Sequence, residues 1–217
     1  MSVLEKFMSV LEKFKVDDLS YAVSKFTFIL ESPHHQEVKN GYPAAGDTGV
    51  SMSKALFKLD EPLGKLAVRQ SNLIPRLSLI NCSRIPLQRS CYGSLELKRD
   101  FINFLEIQNV CDGSIDILKY KIKGKLRTKL GLNAIDSFRS RLIDNITHCT
   151  NPKVIICGVI AQCFFEEATK LQCKLHKSTE VNWKGSDFNV FYEYHPSPKS
   201  GKWSNSSNLV DLLKFMS

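Results

Sequence analysis

The chain has 217 residues, 43% hydrophobic and 24% charged, which is ample for one domain with a sizeable core and unlike a disordered or fibrous composition. No stretch approaches the roughly eighteen apolar residues that would cross a bilayer, and no secretory signal is visible, so a cytoplasmic protein without a membrane is expected. The formal net charge of +8 favours a polyanionic partner, DNA or RNA, over an acidic small molecule.

Residues 1–14 repeat MSVLEKF twice. This reads either as a short amphipathic helix with Leu4, Phe7, Leu11 and Phe14 on one face or as a duplicated start left by cloning. Lys15 to Lys25 continues or restarts that helix. Phe26 to Leu30, FTFIL, is a buried strand. The character changes at once after it, to Glu31, Ser32, Pro33, His34, His35 and Glu37, then Gly41, Pro43, Gly46 and Gly49. A helix starts near Asp47 or Thr48, both good capping types, and helical material runs to about Leu59. Asp60 to Gln70, with Pro62 and Gly64, reads as a loop.

Leu77 to Asn81 is a second strand, and Leu95 to Ile107 a helix. Lys119 to Lys129 holds six basic residues in eleven, alternating with Tyr120, Ile122 and Leu126. It reads as a basic strand, a hairpin edge or a solvated face, with phosphate contact as its functional alternative. Ile135 to Asn145 is a helix. Val154 to Cys157 is a third strand, followed by a helix over Val159 to Cys173. Asn189 to Tyr194 is a fourth strand that ends at His195. Asn205 to Phe215 closes the chain as a helix capped by Ser204, Ser206 or Ser207. No linker divides residues 1–217, so one domain is expected. Strands alternating with helices imply an α/β fold with a parallel sheet covered on both faces.

In open sheets of this kind, ligands bind beyond the carboxyl ends of the strands. The stretch after Phe26 to Leu30 has the right chemistry. Glycines let backbone approach a ligand, and ionisable side chains crowd the loop. An ordinary strand–loop–helix crossover would also fit. The seven cysteines are odd in number and scattered. Cys82, Cys157 and Cys163 lie in apolar stretches and read as reduced, buried thiols. No His/Cys spacing suggests zinc, and no metal or cofactor is expected.

ESPHHQEVKNGYPAAGDTG resembles the first motif of the uracil-DNA glycosylase superfamily. One branch writes it GE-A-P-G, an acid, then G-x-P-F-x-G-x-x-G, and another writes it GQDPYH. Glu31, Pro33, Glu37, Gly41, Pro43, Gly46 and Gly49 fall in that order. Tyr194-His195-Pro196-Ser197-Pro198 is similar to the family's H-P-S-P. Leu77 to Pro86 resembles the strand ending in the family's base-reading Asn, here Asn81, and Val154 to Gly158 the strand-and-glycine segment. These segments span most of residues 26–200. The resemblance implies a three-layer α/β/α sandwich with a central four-stranded parallel sheet. It also implies hydrolysis of an N-glycosidic bond in DNA by a monomer. Some relatives hold an iron–sulfur cluster on four cysteines, two of them in C-x-x-C. This chain has no C-x-x-C and no cysteine before Cys82, so no iron–sulfur cluster is expected.

By motif position, His195 would hydrogen-bond the pyrimidine O2, and Asn81 would read the base edge with an amide that donates and accepts. Glu37 would position water and Glu31 orient the loop backbone. Ser197, Lys199, Lys202 and Trp203 would contact DNA, Lys199 standing where the family has a wedging Leu. The departures bear on substrate. Ser32 replaces the water-activating Asp of GQDPYH. His34 stands where a Tyr excludes 5-substituted pyrimidines. Ala44 replaces the aromatic that stacks on the base, a contact of about 1–3 kcal/mol. Ser32, His34 and Ala44 would thus line a base pocket open to a bulky 5-substituted pyrimidine. Glucosylated hydroxymethylcytosine in phage DNA is the expected substrate, in an antiviral role. Uracil excision in repair and a non-catalytic nucleic-acid-binding relative are the alternatives.

Overall fold

The computed structural model describes residues 10–149, 152–204 and 209–217. Residues 1–9 of the duplicated start and the expected caps Ser206 and Ser207 lie outside the described residues. The strands β1 (Phe26–Leu30), β2 (Leu77–Asn81), β3 (Lys153–Cys157), β4 (Ser178–Trp183) and β5 (Ser186–Glu193) form one sheet, ordered β2-β1-β3-β5-β4. The pairs β1–β2, β1–β3 and β3–β5 are parallel, and β4–β5 is antiparallel. The helices are α1 (His35–Asn40), α2 (Asp47–Phe57), α3 (Leu63–Val68), α4 (Arg99–Leu105), α5 (Ile115–Leu126), α6 (Lys129–Thr147), α7 (Val159–Thr169) and α8 (Val210–Met216).

The central strands are mostly apolar because both of their faces are covered, and their buried Thr27 and Ser78 are hydrogen-bonded to Asn145 and Ser24. Side chains alternate, so each strand feeds two cores. Ile29, Ile80, Val154, Ile156, Val190 and Tyr192 meet α4 to α7 through residues such as Phe104, Leu126, Phe138 and Phe164. Phe28, Leu79, Ile155 and Phe191 meet α2, α3 and α8 through Met52, Leu63 and Leu212. The result is a three-layer α/β/α sandwich. Among the described residues, no helix is long and apolar enough to cross a membrane.

The sheet has five strands where four were expected. The extra strand, β4, is joined to β5 by Lys184 and Gly185, both at positive φ (54° and 79°), the backbone of a tight right-twisting hairpin. Lys-Gly is a weaker signal than Asn-Gly, and β4 is a half-exposed edge strand without a continuous apolar run. The expected loop at 60–70 contains α3, which follows Pro62. The expected helix over 95–107 is helical only from Arg99.

The basic stretch is a helix, not a strand. On a helix Ile122 and Leu126 fall on one face, and both are buried. Its charges are largely neutralised from within. Lys119 and Lys123 both reach Glu166 at 2.7 Å, Lys121 meets Asp112 at 3.0 Å, Lys125 meets Glu106 at 2.8 Å and Arg127 meets Glu167 at 3.2 Å.

One ion pair ties α6 to the end of β2. Arg141 donates to both Asp18 oxygens, at 2.8 and 2.6 Å, and to the carbonyls of Asn81 and Cys82, each at 2.9 Å. Burial nonetheless pushes the Asp18 carboxyl up. Arg141→Leu therefore strands a buried carboxylate and two carbonyls, and should cost about 3–5 kcal/mol in urea denaturation. Adding Asp18→Leu should recover much of that loss, because a buried pair replaced by apolar groups is often near neutral.

Candidate functional site

Because β2, β1, β3 and β5 run parallel, their carboxyl ends lie along one edge. Leu30 pairs with Asn81, and Cys157 with Glu193. Glu31 and Gly158 follow directly and His195 comes two residues after Glu193, so the register delivers all three to the same edge as Asn81. This brings all four expected segments together.

Glu31 leaves β1 and turns towards the start of α7. Its Oε1 accepts from Ile160 N at 3.3 Å, where the helix terminus favours negative charge. Its Oε2 lies 3.7 Å from His195 Nε2, beyond hydrogen-bond length. Burial pushes the Glu31 carboxyl up, while His195, Ile160 N and Gln108 pull it down. His195 Nδ1 accepts from Ser197 N at 3.1 Å. That places the proton of a neutral ring on Nε2. Nε2–H is not consumed by Glu31, so it can serve a ligand.

Gly158 makes this pairing possible. It sits at φ +95°, and a Cβ there would lie 2.4 Å from Glu31 Oε1 and 3.1 Å from His195 Cδ2. No side chain fits without displacing one of the two.

Glu37 is buried, and both of its oxygens are spent on backbone. Oε2 accepts from His34 N at 2.8 Å and Oε1 from Ala44 N at 2.7 Å. The loop-orienting role expected of Glu31 therefore belongs to Glu37, and Glu31 is the carboxylate that faces His195. Burial pushes Glu37 up to about 7, against the backbone donors and Asn81, which pull it down. Asn81 is fully buried, and neither its Oδ1 nor its Nδ2 has a partner in hydrogen-bonding geometry.

His34 joins the cluster. Burial holds its ring below the usual imidazole range, followed by the charge of His195, with Lys199 acting the same way. Gln88 supports His34 and Gln108 supports Glu31. Neither glutamine carried any signal in the sequence: Gln88 lies in the irregular chain after β2, and Gln108 in a single 3-10 turn, Glu106–Asn109, after α4. Ser32 is buried, with its hydroxyl accepting from Leu87 N at 3.4 Å. Ala44 is 1% exposed and belongs to the core with Met52 and Leu63. Its φ of 52° is held by Glu37 and by Gly64 N, which donates to its carbonyl at 3.1 Å.

Ser197 caps a short turn, its hydroxyl accepting from Lys199 N at 3.3 Å. Lys199 is exposed, and Lys202 holds its ammonium 5.0 Å from the Tyr194 ring centre. Trp203 does not offer a stacking face. It is 2% exposed, and its Nε1 donates to Tyr194 O at 2.9 Å. The indole supports the turn from the core side, which a lone Trp after two lysines did not reveal. Among the described residues, no three His, Cys, Asp or Glu side chains gather as a metal-ligand set. All seven cysteines are free.

Comparison with known protein families and with curated proteins gives no match to this chain.

The raised Glu37 pKa makes folding pH-dependent. Between its ordinary value of 4.5 and about 7, the folded state holds more proton than the unfolded state. Stability from this group therefore falls as pH rises through that window, by on the order of 3 kcal/mol in all. Denaturation of the wild type and Glu37→Gln should differ in slope between pH 5 and pH 8. Subtracting the two isolates Glu37 from Glu31, Glu193 and His34, which are also shifted.

Proposed function

We propose that the chain is a DNA glycosylase that hydrolyses the N-glycosidic bond of a modified pyrimidine. The observation that carries this is Asn81, a buried amide with both polar atoms unmatched among the described residues, on the sheet edge that also carries Glu31, Gly158 and His195. An unpaired buried amide costs about 1–3 kcal/mol and persists where a ligand can complete it. An amide that donates and accepts suits the edge of a pyrimidine.

Such chemistry needs the base outside the stack. The C1′–N1 bond breaks with its electron pair leaving on the base. His195 Nε2–H meets the charge that develops on O2, a contact stronger in the transition state than before it. A water oxygen bonds to C1′ and gives its proton to the Glu31 carboxylate. Burial makes that carboxylate a stronger base than an exposed one. Glu37 holds the loop in place and does not touch the reacting atoms. Lys199 and Ser197 lie at the rim, where phosphate would pass.

A bulky 5-substituted cytosine is the substrate this reading favours. Three residues support it. His34 takes the place of an excluding Tyr. Ala44 withdraws its methyl into the core and supplies no ring over the base. The Ser32 hydroxyl accepts from Leu87 N and brings no carboxylate into the pocket. Phage genomes with glucosylated hydroxymethylcytosine fit this description.

Oligonucleotides carrying one uracil, one 5-hydroxymethylcytosine or one glucosylated hydroxymethylcytosine should be offered as single and double strands, then treated with alkali. Cleavage at the bulky cytosines is expected. His195→Ala and Glu31→Gln should each lower it by about 10²–10⁴-fold, and Gly158→Ala should abolish it. Cleavage at uracil alone would turn the reading to repair. No cleavage, with salt-dependent DNA binding retained, would leave a binding protein.

A further inference from the structure

A second site lies on the face of the sheet beside α8, along β5 and the start of β4. Lys153 opens β3 and is the register partner of Asn189, the fourth residue of β5. The carboxyl ends of the two strands, Cys157 and Glu193, are four residues on, about 13 Å at 3.3 Å per residue. Around Lys153 and Asn189 is an open depression of about 470 Å³, lined also by His176, Ser178, Phe191, Asp211, Lys214 and Phe215. That volume falls in the range of small-molecule sites.

The lining is chemically uneven. Two ammonium groups, an amide, a hydroxyl and an imidazole converge. The floor is Phe191 stacked on Phe215, ring centres 5.2 Å apart at 28°. Lys153 lies 5.7 Å over the Phe215 ring and has no carboxylate partner among the described residues. Lys214 has only Asp211, at 3.7 Å on an exposed helix face, a pair of little strength. The contrast with α5 is sharp, where nearly every cation is matched by an acid.

His176 adds a built feature. Its backbone is held at φ 57°, an unfavourable conformation for a histidine that costs energy and tends to persist at sites. Its N–H donates to Tyr192 O at 3.0 Å. Beneath it, the Glu193 carboxylate is 1% exposed; its Oε1 accepts from Tyr194 N at 2.7 Å, and its Oε2 lies 3.4 Å from His176 Nδ1 without a hydrogen bond among the described residues.

We propose that this depression binds a phosphate-bearing nucleotide, with the phosphate on Lys153 and Lys214 and the base against the edge of the Phe191–Phe215 stack. Ammonium groups and small polar donors match phosphate oxygens, and the aromatic floor matches a base face. The phosphate would come from a free mononucleotide or from a strand end. This site is independent of the glycosylase reading.

Calorimetric titration of the full chain with deoxycytidine 5′-monophosphate, with deoxycytidine and with inorganic phosphate tests it. The nucleotide should bind saturably and the nucleoside should not. Lys153→Ala and Lys214→Ala should each weaken binding about tenfold, the loss of one charge-assisted contact. His195→Ala should leave it unchanged. No saturable binding of the nucleotide overturns the proposal, as does binding that survives both lysine variants. Loss of binding in His195→Ala would also overturn it, by placing the nucleotide in the other site. Paired oligonucleotides with and without a 5′-phosphate then assign the source. A phosphate-dependent gain over the mononucleotide identifies a strand end, and its absence identifies a free nucleotide.

Discussion

The site rests on one buried carboxylate. Glu37 binds His34 N with one oxygen and Ala44 N with the other, so two ends of an irregular loop are fixed by a single side chain. Hydrogen bonds from backbone N–H to a carboxylate are among the stronger ones in proteins. The remaining restraints are few: Gly64 N donates to Ala44 O at 3.1 Å and Val38 N to His34 O at 3.0 Å. The loop also fits by absence. A Cβ on Gly49 or Gly64 would sit 1.9 Å from the carbonyls of Ala44 or Pro43. The glycines give the loop its close approach, and Glu37 gives it its shape.

Much of this was legible in the sequence. The four parallel strands show as short apolar runs because sheet strands buried on both faces carry no polar alternation. Glycine after Val154 to Cys157 and His-Pro after Tyr194 mark strand ends whose next residues must turn sharply. What escaped was of two kinds. β4 is an edge, half exposed, and only its pairing with β5 makes it a strand. The lysines of α5 alternate in sequence like a strand, yet Ile122 and Leu126 decide the matter by burying at helical spacing. Propensity and charge patterns lose to tertiary packing in both cases.

The residues singled out in the sequence, Glu31, Asn81 and His195, do lie along one edge of the sheet, with Glu37 in the loop that follows β1. The division of labour between the two glutamates could not be read, because it depends on which of them meets backbone donors and which meets a ring. Gln88, Gln108 and the buried Trp203 illustrate the same limit. Sequence spacing cannot say which side chain of an irregular segment turns inward.

The register of the central pair has a kinetic consequence. Phe26 lies beside Lys153, so β1 waits for most of the chain before its second neighbour exists. Closing so long a loop costs entropy before any contact compensates, and folds rich in such pairings form slowly. Glu31 follows β1 and Gly158 follows β3, so the Glu31–His195 pair cannot assemble until that late step. During synthesis the loop after β1 emerges early, long before β3 and β5 exist. The spacing of Glu31, Gly158 and His195 is therefore a property of the finished sheet alone, fixed only when the last strands dock.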